Sequence, residues 1–249
     1  MKIVFKLPDE TFLEILSYFP VITLRYRITD LRDVWGPSVL PGVYADRLDV
    51  LRAITQTCRT FRRKFLSWLW ERLEACAVPT ACAWYIYVGN ALESKCHILL
   101  KNPLLASHVR SVNIHFVSHP ISPVILDSVM SVTVTRYRMD EILPAFANCL
   151  QSLPNLHTLE LRHVNQEMTM KIKKAFEGVT IPSIRTVVLP TVAHNILRSC
   201  PNVEDVICIV GDSSQILGTI ASKCPKVERI SHTSSSSTAL KRWSSPNPR

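Results

Sequence analysis

Residues 7–19, LPDETFLEILSYF, form the first strongly patterned stretch of the chain. Leu7-Pro8 opens it as an extended dipeptide, because proline fixes its own φ and turns the residue before it away from helix. Asp9 and Glu10 then set two carboxylates at the positive end of a helix dipole, where they are favourable. On a helical wheel Phe12, Leu13, Ile15, Leu16 and Phe19 share one side within about 160°, and Glu10, Glu14, Ser17 and Tyr18 fill the other. A helix this short is marginal alone, so its apolar side needs a partner, either in this chain or in another protein.

Residues 20–47 read as irregular, broken by Pro20, Gly36-Pro37 and Pro41-Gly42. Leu48, Leu51, Ile54 or Thr55, and Cys58 then recur three or four apart, which predicts a helix. The pattern restarts at Thr60. Phe61, Phe65, Trp68 and Leu69 share one face, with Leu66, Trp70 and Leu73 beside it and Arg63, Lys64, Ser67, Glu71 and Glu74 on the rest. Residues 75–92 are uncharged and reach the length of a membrane span. They contain Pro79, Thr80, Gly89 and Asn90 and read instead as a buried linker and strand.

The remainder is periodic. The spacing apolar-x-x-apolar-x-apolar recurs at Val109/Val112/Ile114, Val129/Val132/Val134, Leu156/Leu159/Leu161, Ile184/Val187/Leu189 and Val203/Val206/Cys208, with a shorter copy at Val227/Ile230. Pro154, Pro182, Pro201 and Pro225 each stand two residues ahead of a copy. Helix-like stretches at 139–152, 166–178, 192–199 and 213–223 lie between them. This is the pattern of stacked strand–helix units that bury their apolar faces only against one another. Proline ends each helix and sets the approach to the next strand.

Composition narrows the function classes. Six glycines in 249 residues are about a third of the usual ~7%, and no Walker loop, GxGxxG or GxSxG elbow occurs. The net charge of +9 is spread, with twelve Lys/Arg against nine Asp/Glu up to residue 80 and seventeen against eleven after it. Solvated helix faces account for the short basic runs at 59–64, 171–174 and 241–242, so nucleic acid is not the expected partner. Eight cysteines without a CxxC pair read as reduced thiols acting as small apolar residues. His115/His119 and His157/His163 lack a third ligand in sequence reach. Asp140-Glu141 and Glu204-Asp205 point apart on helix or strand. No catalytic residue, metal site or cofactor site is expected.

The motif residues resemble a known family. Leu7-Pro8-Asp9-Glu10, Ile15-Leu16, Leu51, Cys58-Arg59-Thr60-Phe61 and Leu69-Trp70 look like an F-box: Leu-Pro-x-Glu, an Ile-Leu pair five residues on, then Cys-Arg-x-aromatic and an aliphatic-Trp pair. The periodic half resembles the degenerate leucine-rich repeats that often follow an F-box, particularly in fungal proteins. Two departures stand out. The gap between Leu-Pro and Cys-Arg is about twenty-five residues longer than usual, although loop entropy grows only logarithmically. The asparagine that normally follows the strand triplet is replaced by Val164, Val192 and Gly211.

The resemblance implies an α/β chain: a three-helix F-box at 5–75 with an insertion at 20–47, an irregular repeat solenoid at 84–231, and a disordered Ser/Pro-rich tail at 233–249. It implies a non-catalytic substrate adaptor of a Skp–cullin–F-box ubiquitin ligase, in the cytoplasm or nucleus, off the membrane and without a cofactor. The Skp adaptor, and through it a cullin, is the expected partner, together with a target protein the sequence does not name. Candidate adaptor contacts are Leu7, Pro8, Glu10, Ile15, Leu16, Leu51, Cys58, Arg59, Phe61, Leu66, Leu69 and Trp70. Each of these is also suited to the module's own core, above all Phe61, Leu66 and Trp70. A ligase-independent repeat scaffold and a basic nucleic-acid-associated protein are the alternatives.

Overall fold

Short alternations of apolar and polar residues mark strands with one face buried, and in the computed structural model they lie side by side. The structure describes residues 8–18, 43–75, 84–115, 129–162, 164, 166, 168–209, 214–234 and 237–242. Among these, β1 (Arg72–Ala75), β2 (Ser111–His115), β3 (Thr158–Arg162), β4 (Thr186–Leu189), β5 (Asp205–Cys208) and β6 (Arg229–Ser234) run parallel in chain order. A seventh strand, β7 (Ser237–Arg242), pairs antiparallel with β6. The register aligns Leu73, Val112, Leu159, Val187, Val206 and Ile230 into one continuous apolar ladder. All but Ile230 are buried, and all pack in one core with residues of the connecting helices.

Those connections are α4 (Trp84–Lys101) and the short α5 (Pro103–Ala106), then α6 (Val129–Gln151), α7 (Met168–Ala175), a 3-10 helix (Thr191–Ser199) and α8 (Ser214–Lys223). Apart from α5, which packs on α4 and α3, each packs on the next in the same order as the strands, so the helices form a second layer over one face of the sheet. The 3-10 segment has a geometric reason. Only nineteen residues separate Ile184 from Val203. Its nine residues reach about 18 Å at ~2.0 Å per residue, against about 13.5 Å in an α-helix. Gly178, in the left-handed region at φ 74°, makes the turn out of α7.

Neighbouring units are stitched before the strands rather than after them. One carbonyl receives two consecutive N–H groups from the next unit: Glu71 O from Arg110 and Ser111, Arg110 O from His157 and Thr158, His157 O from Arg185 and Thr186. Side chains following the prolines add to this. Asn155 Nδ2 donates to Ser107 O at 2.7 Å, and Asn202 Nδ2 donates to Pro182 O at 2.9 Å. Ser183 Oγ reaches Leu153 O at 3.5 Å. Val164, where the repeat asparagine is missing, is buried.

Several sequence expectations are corrected. Val129, Val132 and Val134 have strand-like spacing but begin α6, so the chain makes a single crossover from β2 to β3. Residues 84–92, expected as linker and strand, belong to α4, whose Leu92, Cys96 and Leu99 recur at helical spacing and are buried. Helix α3 (Arg59–Trp70) stops before Leu73, and Arg72–Ala75 becomes the first strand. Helix α2 (Val43–Thr57) starts inside the stretch read as irregular; residues 20–42 lie outside the described ones. The tail is not wholly without structure, since β7 covers the open edge of β6 with backbone hydrogen bonds; residues 243–249 lie outside the described ones.

Candidate functional site

Helix α1 (Asp9–Ser17) starts where the sequence places it. Pro8 precedes it with extended ψ, and its carbonyl accepts from Thr11 N at 3.2 Å. Phe12 and Leu16, one turn apart, turn inward and meet Leu51 of α2 and Phe65 of α3 in a small core of their own. Phe65 is its centre, fully buried. It meets Phe12, Phe61 and Trp68 edge-on at centroid distances of 4.8, 5.8 and 5.1 Å, the geometry aromatic quadrupoles favour. Lys64 Nζ lies 4.6 Å above the Phe12 ring as a cation–π contact. Arg62 Nε donates to Thr55 O at 3.2 Å and ties α3 to α2.

The twelve predicted contact residues separate into groups. Leu16 and Leu51 are buried at 4% and 3% exposure, inside the module rather than on its surface. Phe61, Leu66 and Leu69 are half-buried, with Phe61 and Leu69 packed against the small core. Trp70 is half-buried too but packs against the core of the sheet, so it joins the module to the repeats. Pro8, Glu10, Ile15, Cys58 and Arg59 are exposed. Leu7 lies outside the described residues, as does Phe19.

Cys58 does not continue the apolar face of α2. It caps α3, its sulfur accepting from Phe61 N at 3.5 Å, which is why the position suits a short polarisable side chain. The wheel of α1 also divides. Leu13 and Ile15 flank the buried Phe12–Leu16 stripe and stand 53% and 44% exposed, and Tyr18 at the helix end is 78% exposed. Leu13 and Tyr18 are exposed apolar residues that the predicted contact set does not contain. The wheel had grouped Leu13 with the apolar face, but that arc is wider than the single stripe that α2 and α3 cover.

A second cluster went unnoticed in the sequence. Glu74, Asn113 and Glu160 occupy one register row on β1, β2 and β3, on the strand face that alternates with the apolar ladder. Asn113, Glu160 and Arg162 are buried, and Glu160 is ion-paired with Arg162. Burial raises the Glu160 carboxyl above the usual range against the pull of Arg162. Burial likewise raises Glu74, opposed by Arg72, Lys95 and Arg47 and reinforced by Glu160. Arg47 of α2 is held below its ordinary value by burial and then by Arg72, and its Nε is buried without a hydrogen-bond partner. Strand alternation marks Asn113, Glu160 and Arg162 as polar positions. Their burial depends on what packs there in space.

Among the described residues no group of three or more His, Cys, Asp or Glu side chains comes together as a metal site, and no helix is long and apolar enough to cross a membrane. On and directly after α1 the exposed large apolar side chains are Leu13, Ile15 and Tyr18, with Pro8 exposed at the helix start. Compared with known proteins, the chain matches no family model, no curated protein and no solved structure.

Proposed function

We propose that this chain is a substrate-receptor subunit of a Skp–cullin–F-box ubiquitin ligase, with α1–α3 as its F-box and the sheet and helices from β1 onward as an irregular leucine-rich-repeat solenoid that holds the target. The observation that carries this reading is the division of α1. Phe12 and Leu16 complete a small core with Leu51 and Phe65, while Leu13, Ile15 and Tyr18 remain exposed beside Pro8. That leaves two apolar flanks of the helix, Ile15 with Tyr18 on one side and Leu13 on the other, for a groove on the adaptor. Pro8, Glu10, Leu13, Ile15 and Tyr18 are the contacts assigned to it, with Cys58 and Arg59 at the start of α3. Leu16 and Leu51 act indirectly, by fixing the angle of α1. Strand order equal to chain order, with one helical layer, supports the solenoid reading.

Pull-down of a purified Skp adaptor at micromolar concentrations tests the proposal. Wild type is expected to retain the adaptor, and Pro8→Ala/Ile15→Ala to lose at least tenfold in affinity with unchanged circular dichroism. Absence of binding by wild type would overturn the ligase reading in favour of a ligase-independent scaffold. Retention that depends steeply on salt with DNA or RNA in place of the adaptor would favour the nucleic-acid reading.

A further inference from the structure

Two of the basic runs in the sequence, 171–174 and 241–242, lie far apart in the chain, and the fold carries both to one edge of the sheet. In parallel strand–helix units each helix ends on the side where the next strand begins. The last turns of α7, the 3-10 helix and α8 therefore lie side by side, as these helices pack on one another in that order. Hydrogen bonds between their ends fix the arrangement. Ser199 Oγ donates to Phe176 O at 3.1 Å, and Cys224 Sγ donates to Leu197 O at 3.3 Å. Lys173 and Lys174, Arg198, and Lys223 stand in these three last turns, and Lys226 follows in the turn into β6. All five are exposed. β7 runs back toward the same edge, and its register sets Arg242 opposite Arg229 and Lys241 opposite Ile230.

Charge at this edge is not balanced. Arg185 pairs with Glu204 and Arg229 with Asp205, which engages two of the acids in these turns; Glu177 and Glu228 are the others. Among the described residues none of Lys173, Lys174, Arg198, Lys223 and Lys226 makes an ion pair. A cation in the last turn of a helix is favourable against the helix dipole, which accounts for Lys174, Arg198 and Lys223 one at a time. It does not account for Lys226, nor for Arg242 standing directly opposite Arg229, where like charges repel.

We infer that this edge binds an acidic stretch of another protein, its carboxylates lying across the helix ends from Lys173 and Lys174 to Lys226. Among the described residues of these units no aromatic side chain is exposed. Unpaired bases are held largely by stacking on such side chains, so the edge suits a polypeptide better than single-stranded nucleic acid. The inference rests on the repeat units alone and holds whether or not α1 binds an adaptor. Under the ligase reading the acidic stretch belongs to the target.

Full-length protein would be titrated into a fluorescein-labelled oligoglutamate, with anisotropy recorded at low ionic strength. Micromolar binding that weakens as sodium chloride is added is the expected result. Lys223→Gln/Lys226→Gln should weaken it about tenfold, whereas Arg52→Gln/Arg63→Gln, which removes the same charge from α2 and α3, should change it less than about twofold. All four side chains are exposed, so the circular dichroism of both variants should match wild type. Equal losses in the two variants would mean that net charge alone holds the peptide, and would overturn the site. Absence of binding by wild type would overturn it as well. A DNA oligonucleotide of equal charge that binds more tightly than the peptide, with the same loss in Lys223→Gln/Lys226→Gln, would overturn the assignment to a polypeptide.

Discussion

The N-terminal helices and the sheet bury apolar surface in opposite ways. The module's core is four side chains, Phe12, Leu16, Leu51 and Phe65, brought together from α1 and, far from it in sequence, the adjoining helices α2 and α3. The core of the sheet extends unit by unit from Leu73 to Val227, each strand covering its neighbour at a fixed register and each helix covering the pair. Both units leave apolar side chains exposed: Leu13, Ile15 and Tyr18 on or directly after α1, and Ile98, Leu100, Leu104 and Met170 on the helices over the sheet. On the smaller unit they gather on one short helix, whereas on the larger they are spread over α4, α5 and α7.

If the two cores are separate in this sense, removing one should leave the other standing. Phe65→Ala deletes the ring that contacts Phe12, Phe61 and Trp68 and should cost about 3–5 kcal/mol. Urea unfolding followed by tryptophan fluorescence and circular dichroism should then show an early transition for α1–α3, with the sheet's midpoint kept. Both transitions moving together would show that the two regions fold as one. Leu159→Ala, at the centre of the apolar ladder, should cost about 2–5 kcal/mol and shift the sheet transition instead, leaving the proposed adaptor binding intact when measured below that transition.

The smallest effect sharpens the boundary between the two regions, where Glu74 sits. Burial holds Glu74 and Glu160 above the ordinary carboxylate range. A carboxyl whose folded value is raised binds its proton more tightly folded than unfolded. Its contribution to stability therefore grows as pH falls through the folded value toward the unfolded one near ~4.3. Glu74→Gln should remove its share of that rise, measured as the difference between wild-type and variant urea midpoints from neutral pH downward. An unchanged difference across that range would mean that Glu74 titrates alike in both states.

Much of the repeat half was legible in the sequence. The triplets at Leu156, Ile184 and Val203 became β3, β4 and β5 with their apolar members buried, and residues 213–223 delivered α8 nearly residue for residue. The same reading failed at Val129/Val132/Val134. Valines three and two apart fit a strand locally, and only the parallel pairing of β2 with β3 decides that the segment between them is the crossover. β1 was hidden for the converse reason: four residues directly after a helix carry too little alternation to separate Leu73 and Ala75 from the helix's own face.

For the candidate site the sequence alone determined the elements: where α1 begins, that α3 follows Cys58 closely, and that Phe12, Leu16, Leu51 and Phe65 are apolar at helical spacing. It did not determine which apolar residues face inward. Spacing reports only the relative angle of side chains on one helix, whereas burial depends on which neighbours arrive from elsewhere in the chain. Helices α2 and α3 cover a single stripe of α1 and leave its flanks exposed. The sheet buries Glu160 with Arg162. Each of these follows from contacts between residues far apart in sequence, and so only the tertiary structure decided them.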